Sequence, residues 1–295
     1  MRALRNTWRH RDAVRVVGLH VGLRRLAGLT VPSETRFQFG ENWRNYSQAI
    51  DEDDVAHSVD GLLALLPAES WSGRTVVDIG CGSGLHACAM IRLGVAELTA
   101  TDFDSASVAT TRQLLQDRTG ASTDKVFVDD ILASRLDGRK FDIVYSWGVL
   151  HHTGNMWGAI RNAADLVGES GHLAIAIYKK TPTCGFWGVE KRLFCRLSAS
   201  IQNKLSWVFA GVLFLAHGAM GRKPTRDYRQ RRGMRLWHDA KDWLGGFPYE
   251  SAEPADIAAF VEAMGFETVK VLNDGRSPLW GLLGSGCAEY LFRRK

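Results

Sequence analysis

In "VVDIGCGSGLHA" (residues 76–87) an acid, Asp78, precedes three alternating glycines, Gly80, Gly82 and Gly84. Glycine takes positive φ freely and carries no Cβ, so a ligand can lie directly on such a backbone. The G-x-G-x-G spacing is not the G-x-G-x-x-G of dinucleotide binders, and the G-K-[ST] of a P-loop is missing. A carboxylate at Asp78 would repel a pyrophosphate and attract an amine or a sulfonium. Asp102 lies about 20 residues further on, where an acid can accept both hydroxyls of a ribose. Asp129 and Asp130 form another acidic pair. "LHHT" offers His151 and His152, a residue type that exchanges protons near neutral pH. "LWHDAKDWLGG" places His238 and Asp242 four apart, on one helix face, as a base and an orienting acid would be. The same segment could instead pack over the core through Trp237 and Trp243, with its polar groups serving as caps.

These residues need a frame that gathers them. From Thr75 onward short apolar runs alternate with helical patterns. "TVVDIG", "ELTATDFD", "DKVFVDD", "KFDIVYSWGVLHH" and "HLAIAIY" read as strands. "LHACAMIRLG", "SASVATTRQLLQDRTG" and "MWGAIRNAADLVGESG" read as helices, with Ser105 as an N-cap and Gly94 and Gly120 as terminators. Such alternation implies right-handed crossovers and a parallel sheet with helices on both faces. The fold class expected is therefore α/β, a Rossmann-like doubly wound sheet of seven strands. It is mostly parallel with an antiparallel last strand, and a helical insertion follows strand five. Ligands in such sheets bind outside the carboxyl ends of the strands. Asp78–Gly84, Asp102, Asp129/Asp130 and Trp147–His152 would all meet at that edge. The chain divides into a basic arm and cap (1–50), a ligand-binding core (51–178), a helical lid for the acceptor (179–250), and a closing helix and strands (251–295), the helix opened by Ser251 with Glu253 and Pro254 in its first turn.

A ribose, a positive charge and no phosphate together describe S-adenosylmethionine (SAM). "VVDIGCGSG", "ATDFD", "VFVDD" and "FDIVYSWGVLHH", in that order, resemble the motifs of class I SAM-dependent methyltransferases over roughly 75–178 and again over 251–295. "FGENW" (Phe39–Trp43), "SWGVLHHTGNMW" and "WHDAKDWLGGFP" resemble a narrower bacterial group of these enzymes. The resemblance implies SAM contacts from Gly80, Gly82 and Gly84, a ribose contact from Asp102, and an adenine contact from Asp129 or Asp130. Asp78 would answer the methionine ammonium through water, and Trp147 would line the same pocket. Trp43, Tyr46, Trp237 and Asp242 are expected at the acceptor. His151 and His238 compete for the role of base, with His152 as a structural residue; in the alternative, both histidines of the pair 151–152 are structural. No metal is expected.

Negative features narrow the acceptor. There is no N-P-P-Y or D-P-P-Y run, no Pro-Cys nucleophile, and no aromatic–basic appendage for RNA. Nucleic acid is therefore disfavoured, and a small or lipid-linked acceptor with an anionic group is expected. Oxygen is the first choice of acceptor atom, nitrogen the alternative. A third reading is a catalytically silent SAM-binding protein that acts through its basic insertion. The excess of 37 Lys and Arg over 32 Asp and Glu is concentrated at residues 1–17 and 221–235, which suits phosphates or an anionic membrane. The five cysteines, with no C-x-x-C pair, read as reduced cytoplasmic thiols. "LSWVFAGVLFLAHGAM" (205–220) falls short of the ~20 residues a span requires and reads as a buried or membrane-grazing helix, giving a peripheral contact at the inner face of the membrane.

Overall fold

The structure, a computed structural model, describes Phe37, residues 39–219, Gly221 and residues 235–295. The arginine-rich start of the chain and most of the basic run 221–235 lie outside the described residues. In chain order the helices are α1 (Phe39–Ser47), α2 (Glu52–Leu63), α3 (Leu85–Arg92), α4 (Ser105–Thr119), α5 (Met156–Asp165), α6 (Cys184–Phe194), α7 (Ala199–Ala219), α8 (Leu236–Gly245) and α9 (Pro254–Glu262). The strands are β1 (Thr75–Ile79), β2 (Glu97–Asp102), β3 (Val126–Val128), β4 (Phe141–Trp147), β5 (Val167–Tyr178), β6 (Phe266–Leu272) and β7 (Cys287–Arg294).

The seven strands form one sheet in the order β3-β2-β1-β4-β5-β7-β6. β1 to β5 are parallel, and β7 runs antiparallel between β5 and β6. Strand order reverses between β1 and β4, the switch point at which such sheets open a crevice. Alternate residues of each strand feed opposite layers. Val77, Ile79, Val144, Ile175 and Ile177 pack under α5 and α9 with Ile160 and Ile257. Val76, Ile143, Tyr145 and Ala174 pack on the other face with Leu62 of α2 and Met90 of α3.

Two helix starts differ from expectation. Asp104, not Ser105, caps α4, its carboxylate accepting the Ala106 N–H at 2.8 Å. α9 begins at Pro254 after Glu253, and Ser251 stands outside it. In each case the backbone turns helical at a different residue from the one chosen by side-chain type. Gly94 and Gly120 do follow their helices in left-handed conformation. The insertion after β5 consists of α6, α7 and α8, which share aromatic clusters around Trp187, Trp243 and Trp237.

Candidate functional site

Because β1 to β5 are parallel, their carboxyl ends share one edge, where Asp78 and the glycine loop, Asp102, Asp129 and Asp130, and Trp147–His152 stand. The loop after β1 is held by hydrogen bonds from the Gly80 and Cys81 N–H groups to the Thr101 carbonyl at 2.7 and 2.9 Å. Gly80, Gly82 and Gly84 have φ of 78°, 53° and 83°, so the run of glycines answers a backbone requirement. It also answers close approach. A Cβ on Gly80 would lie 2.3 Å from Val149, and one on Gly82 3.2 Å from the indole of Trp43. Trp43 of α1 thus lies against the glycine loop.

The acids divide by what their oxygens already hold. Asp102 accepts the Gly82 N–H at 3.0 Å and the Asp104 N–H at 2.9 Å, which fixes its carboxylate between the glycine loop and the start of α4. Burial raises its pKa to about 6. Asp78 is buried, and its Oδ2 has no hydrogen-bond partner. Burial, and then the neighbouring Asp102, raises Asp78 to about 7. The negative charge of Asp102 thus acts on the buried Asp78 carboxyl. Asp129 spends both oxygens internally, accepting from Ser134 Oγ at 2.5 Å and from the Arg135 N–H at 2.9 Å. Asp130 uses Oδ1 to cap the following turn through the Leu132 N–H at 2.9 Å.

On the α3 side of the sheet Asp78 pairs in register with Tyr145, and Trp147 stacks on Tyr145 with ring centroids 5.8 Å apart. His86 of α3 meets both rings, at 5.3 and 6.2 Å. Phe103, directly after Asp102, is 55% exposed at the same edge. It was missed in the sequence, although an aromatic residue following the acid at a strand end is a visible signal. Asn42, Asp104 and Val149 were missed as well, because their roles depend on long-range contacts.

The histidines differ in setting. His152 Nδ1 donates to the Pro248 carbonyl at 2.8 Å and is structural, as expected. His151 is fully buried against the Tyr178 ring, with centroids 3.9 Å apart and planes tilted by 38°, and neither ring nitrogen has a hydrogen-bond partner. Burial holds its pKa well below the usual value. His238 packs on Tyr46 at 5.0 Å, and burial lowers it to about 4, with Arg235 and Lys241 acting the same way. His238 and Asp242 do not form the pair that their spacing allows. Asp242 Oδ1 instead accepts from Asn42 Nδ2 at 2.7 Å, and the same amide reaches the His238 carbonyl at 3.2 Å. Tyr46 is almost fully buried in the core beneath α1, and Trp237 stacks on Trp207 of α7 at 4.0 Å. In α6, Lys191 is fully buried, with its ammonium 3.8 Å from the Trp243 ring and bonded to the Trp243 carbonyl.

A ligand with an amine or sulfonium fits this edge. The unpartnered Asp78 oxygen accounts for the charge, and the left-handed glycines let the loop backbone pass close to Val149 and Trp43 with no Cβ between. A phosphate would meet two acids instead. Among the described residues, no group of three or more His, Cys, Asp or Glu is arranged to hold a metal ion.

Residues 77–173 match the family described as a methyltransferase domain. The chain is 31% identical over 131 residues to a ubiquinone biosynthesis O-methyltransferase of Alkalilimnicola ehrlichii, covering 44% of this chain and 48% of that protein. It is 27% identical over 158 residues to 27-O-demethylrifamycin SV methyltransferase of Amycolatopsis mediterranei, covering 49% of this chain and 54% of that protein. A solved magnesium protoporphyrin IX methyltransferase from Synechocystis PCC 6803 with bound SAH aligns at a TM-score of 0.49 and 17% identity, over 85% of this chain and 84% of that one. The chain spans about half the length of the curated relatives it matches. The resemblance to class I SAM-dependent methyltransferases therefore holds for the core.

Proposed function

We propose that this chain transfers a methyl group from SAM to an oxygen atom of a small-molecule, glycan-precursor or lipid-linked acceptor. The observation that carries the reading is the buried, unpartnered oxygen of Asp78 beside three left-handed glycines and a second acid, Asp102. When bound, SAM supplies an electrophilic methyl on a positively charged sulfur. Asp78 answers the positive charge of the donor. Asp102, fixed by two backbone N–H groups, accepts from the ribose. Asp130 is the better choice for the adenine amine, since Asp129 is buried with both oxygens engaged in its own turn, whereas Asp130 is partly exposed. Phe103 offers an apolar platform beside them, and Trp43 closes over the glycine loop. Trp147 lines the wall on the Asp78 side.

The acceptor is assigned to the lid of residues 179–250 and the cap formed by α1. O-methyltransferases among the relatives support oxygen as the atom. A base would then remove the proton, and His151 and His238 are the candidates. Their depressed basicity favours a second reading, transfer to a nitrogen that needs positioning alone. The basic composition of the insertion supports an anionic group on the acceptor and a cytoplasmic enzyme held peripherally at the inner face of the membrane.

The test is calorimetry with SAM and NAD, followed by turnover of the acceptor once mass spectrometry has found it. Asp102→Ala removes charge-assisted hydrogen bonds of about 1.5–3 kcal/mol each, so SAM affinity should fall tenfold or more. Unchanged affinity in the folded variant would refute the ribose assignment. Alanine at the true base lowers turnover about 100-fold with SAM affinity intact. If both His151→Ala and His238→Ala keep full turnover, the nitrogen reading replaces the oxygen one.

A further inference from the structure

α7 presents an apolar surface that the rest of the described chain does not cover. Ile201, Leu205, Val208, Val212 and Leu215 are exposed and recur at intervals of four, three, four and three, so they line one face. That face is about 21 Å long at 1.5 Å per residue. Leu215 is 71% exposed; Trp207 and Phe214, also exposed, lie on a flank between this stripe and the buried face, with Trp207 stacked on Trp237 of α8 at 4.0 Å. The opposite face carries Ser206, Ala210 and Leu213, buried against Ala240 of α8. α6 repeats the arrangement with exposed Phe186, Val189 and Leu193, spaced three and four apart, while Trp187 and Phe194 face inward. A third element joins them. The turn 278–281 holds Leu279 and Trp280 in left-handed backbone, φ 48° and 54°, with Trp280 73% exposed. The turn is tied to α6 by Trp187 Nε1 donating to the Gly281 carbonyl at 2.8 Å.

Large apolar residues scattered singly on a surface need no explanation, but continuous stripes on adjoining elements do. The charges select the occupant. Across residues 179–219 the basic residues are Lys179, Lys180, Lys191, Arg192, Arg196 and Lys204, and the only acid is Glu190. Arg192, Arg196 and Lys204 are exposed. The run after α7 adds Arg222, Lys223, Arg226, Arg229, Arg231 and Arg232 in sequence. Arg235, the last of the run, is not available, since it pairs with the buried Asp54 at 3.2 Å. A second copy of the chain would bring the same basic flanks together. A coiled-coil partner would need acids beside the stripe and more than two heptads. No described helix is long and apolar enough to cross a membrane. Apolar stripes flanked by a large excess of cations, against Glu190 and Asp227 as acids, suit the interface of an anionic bilayer.

We propose that α6, α7 and the 278–282 turn form a docking face for an anionic phospholipid surface, with α7 lying in the plane of the bilayer. This deepens the reading of a peripheral enzyme with a lipid-linked acceptor and rests on its membrane half only. Docking there sets the acceptor-binding insertion at the lipid surface, where such an acceptor resides.

The test is co-sedimentation of the full chain with phosphatidylcholine vesicles, with and without phosphatidylglycerol, together with SAM calorimetry and analytical ultracentrifugation. The wild type should bind the phosphatidylglycerol vesicles, and more weakly as salt rises. The double variant Val208→Glu/Val212→Glu changes exposed positions only, and should lose about tenfold or more of vesicle affinity while binding SAM normally. Trp280→Ala should weaken vesicle binding in the same direction. Absence of vesicle binding by the wild type overturns the proposal. So does salt-sensitive binding that both variants retain, which would assign the lipid contact to the basic run alone. A dimer that the double variant converts to monomer gives the face to a second copy, and also overturns it. Loss of SAM binding in the wild type would instead sink the methyl-transfer reading and leave the docking result intact.

Discussion

Burial raises the Asp78 carboxyl to about 7, and Asp102 adds to the shift. The unfolded chain would ionise Asp78 near its ordinary value, so between the two values the folded apo protein holds a proton that the unfolded chain does not. The stability this contributes is full below the ordinary value and is lost as pH rises through about 7. A cation needs the ionised form. SAM affinity should therefore fall by up to about tenfold per pH unit below 7 and level off above it. Asp78→Asn should melt higher than the wild type at alkaline pH without ligand, yet bind SAM more weakly and with little pH dependence. Calorimetry and thermal melts across about pH 6 to 8 read both effects. A wild-type affinity that is flat with pH, matched by the Asn variant, would remove Asp78 from the cation site.

Between elements, the joint of most consequence is a single amide. Asn42 of α1 holds the buried carboxyl of Asp242 in α8, and Trp43 beside it lies on the glycine loop. Burial, first of all, pushes Asp242 well above the usual carboxylate range, so its hydrogen bond counts for more than one at the surface. Asn42→Ala leaves that carboxyl without its donor and should cost about 1–3 kcal/mol in urea unfolding. Hydrogen exchange should quicken in α1, and SAM affinity should fall as Trp43 loosens. Normal exchange and normal SAM binding in this variant would mean that α1 is no part of the site.

For the molecule as a whole, the ligand edge draws on β1, β2, β3 and β4 and on helix α1, so a bound ligand ties together parts distant in sequence. At 100 times its dissociation constant, a ligand that binds only the folded state adds about 2.7 kcal/mol. In a chain of 295 residues that is a rise of roughly 4–5 °C in the melting temperature. SAM should produce it and NAD should not. Equal shifts with both would contradict the reading of the glycine spacing and favour a dinucleotide.

The sheet was legible because its signals are local. Short apolar runs that end in acids and alternate with helical patterns leave few topologies, and a parallel sheet puts every strand's carboxyl end on one edge. The glycine loop was legible for a related reason: positive φ is a property of the backbone at each residue. Partnership was not legible. His238 and Asp242 stand four apart, yet Asp242 bonds Asn42, 200 positions away. Asp129 and Asp130 look alike in sequence, and only the fold shows that the turn to Arg135 consumes both oxygens of the first. The exposure of α7 escaped for the same reason. Periodicity states which residues share a face of a helix, whereas burial depends on whether another element covers that face, and that is decided only when the chain has folded.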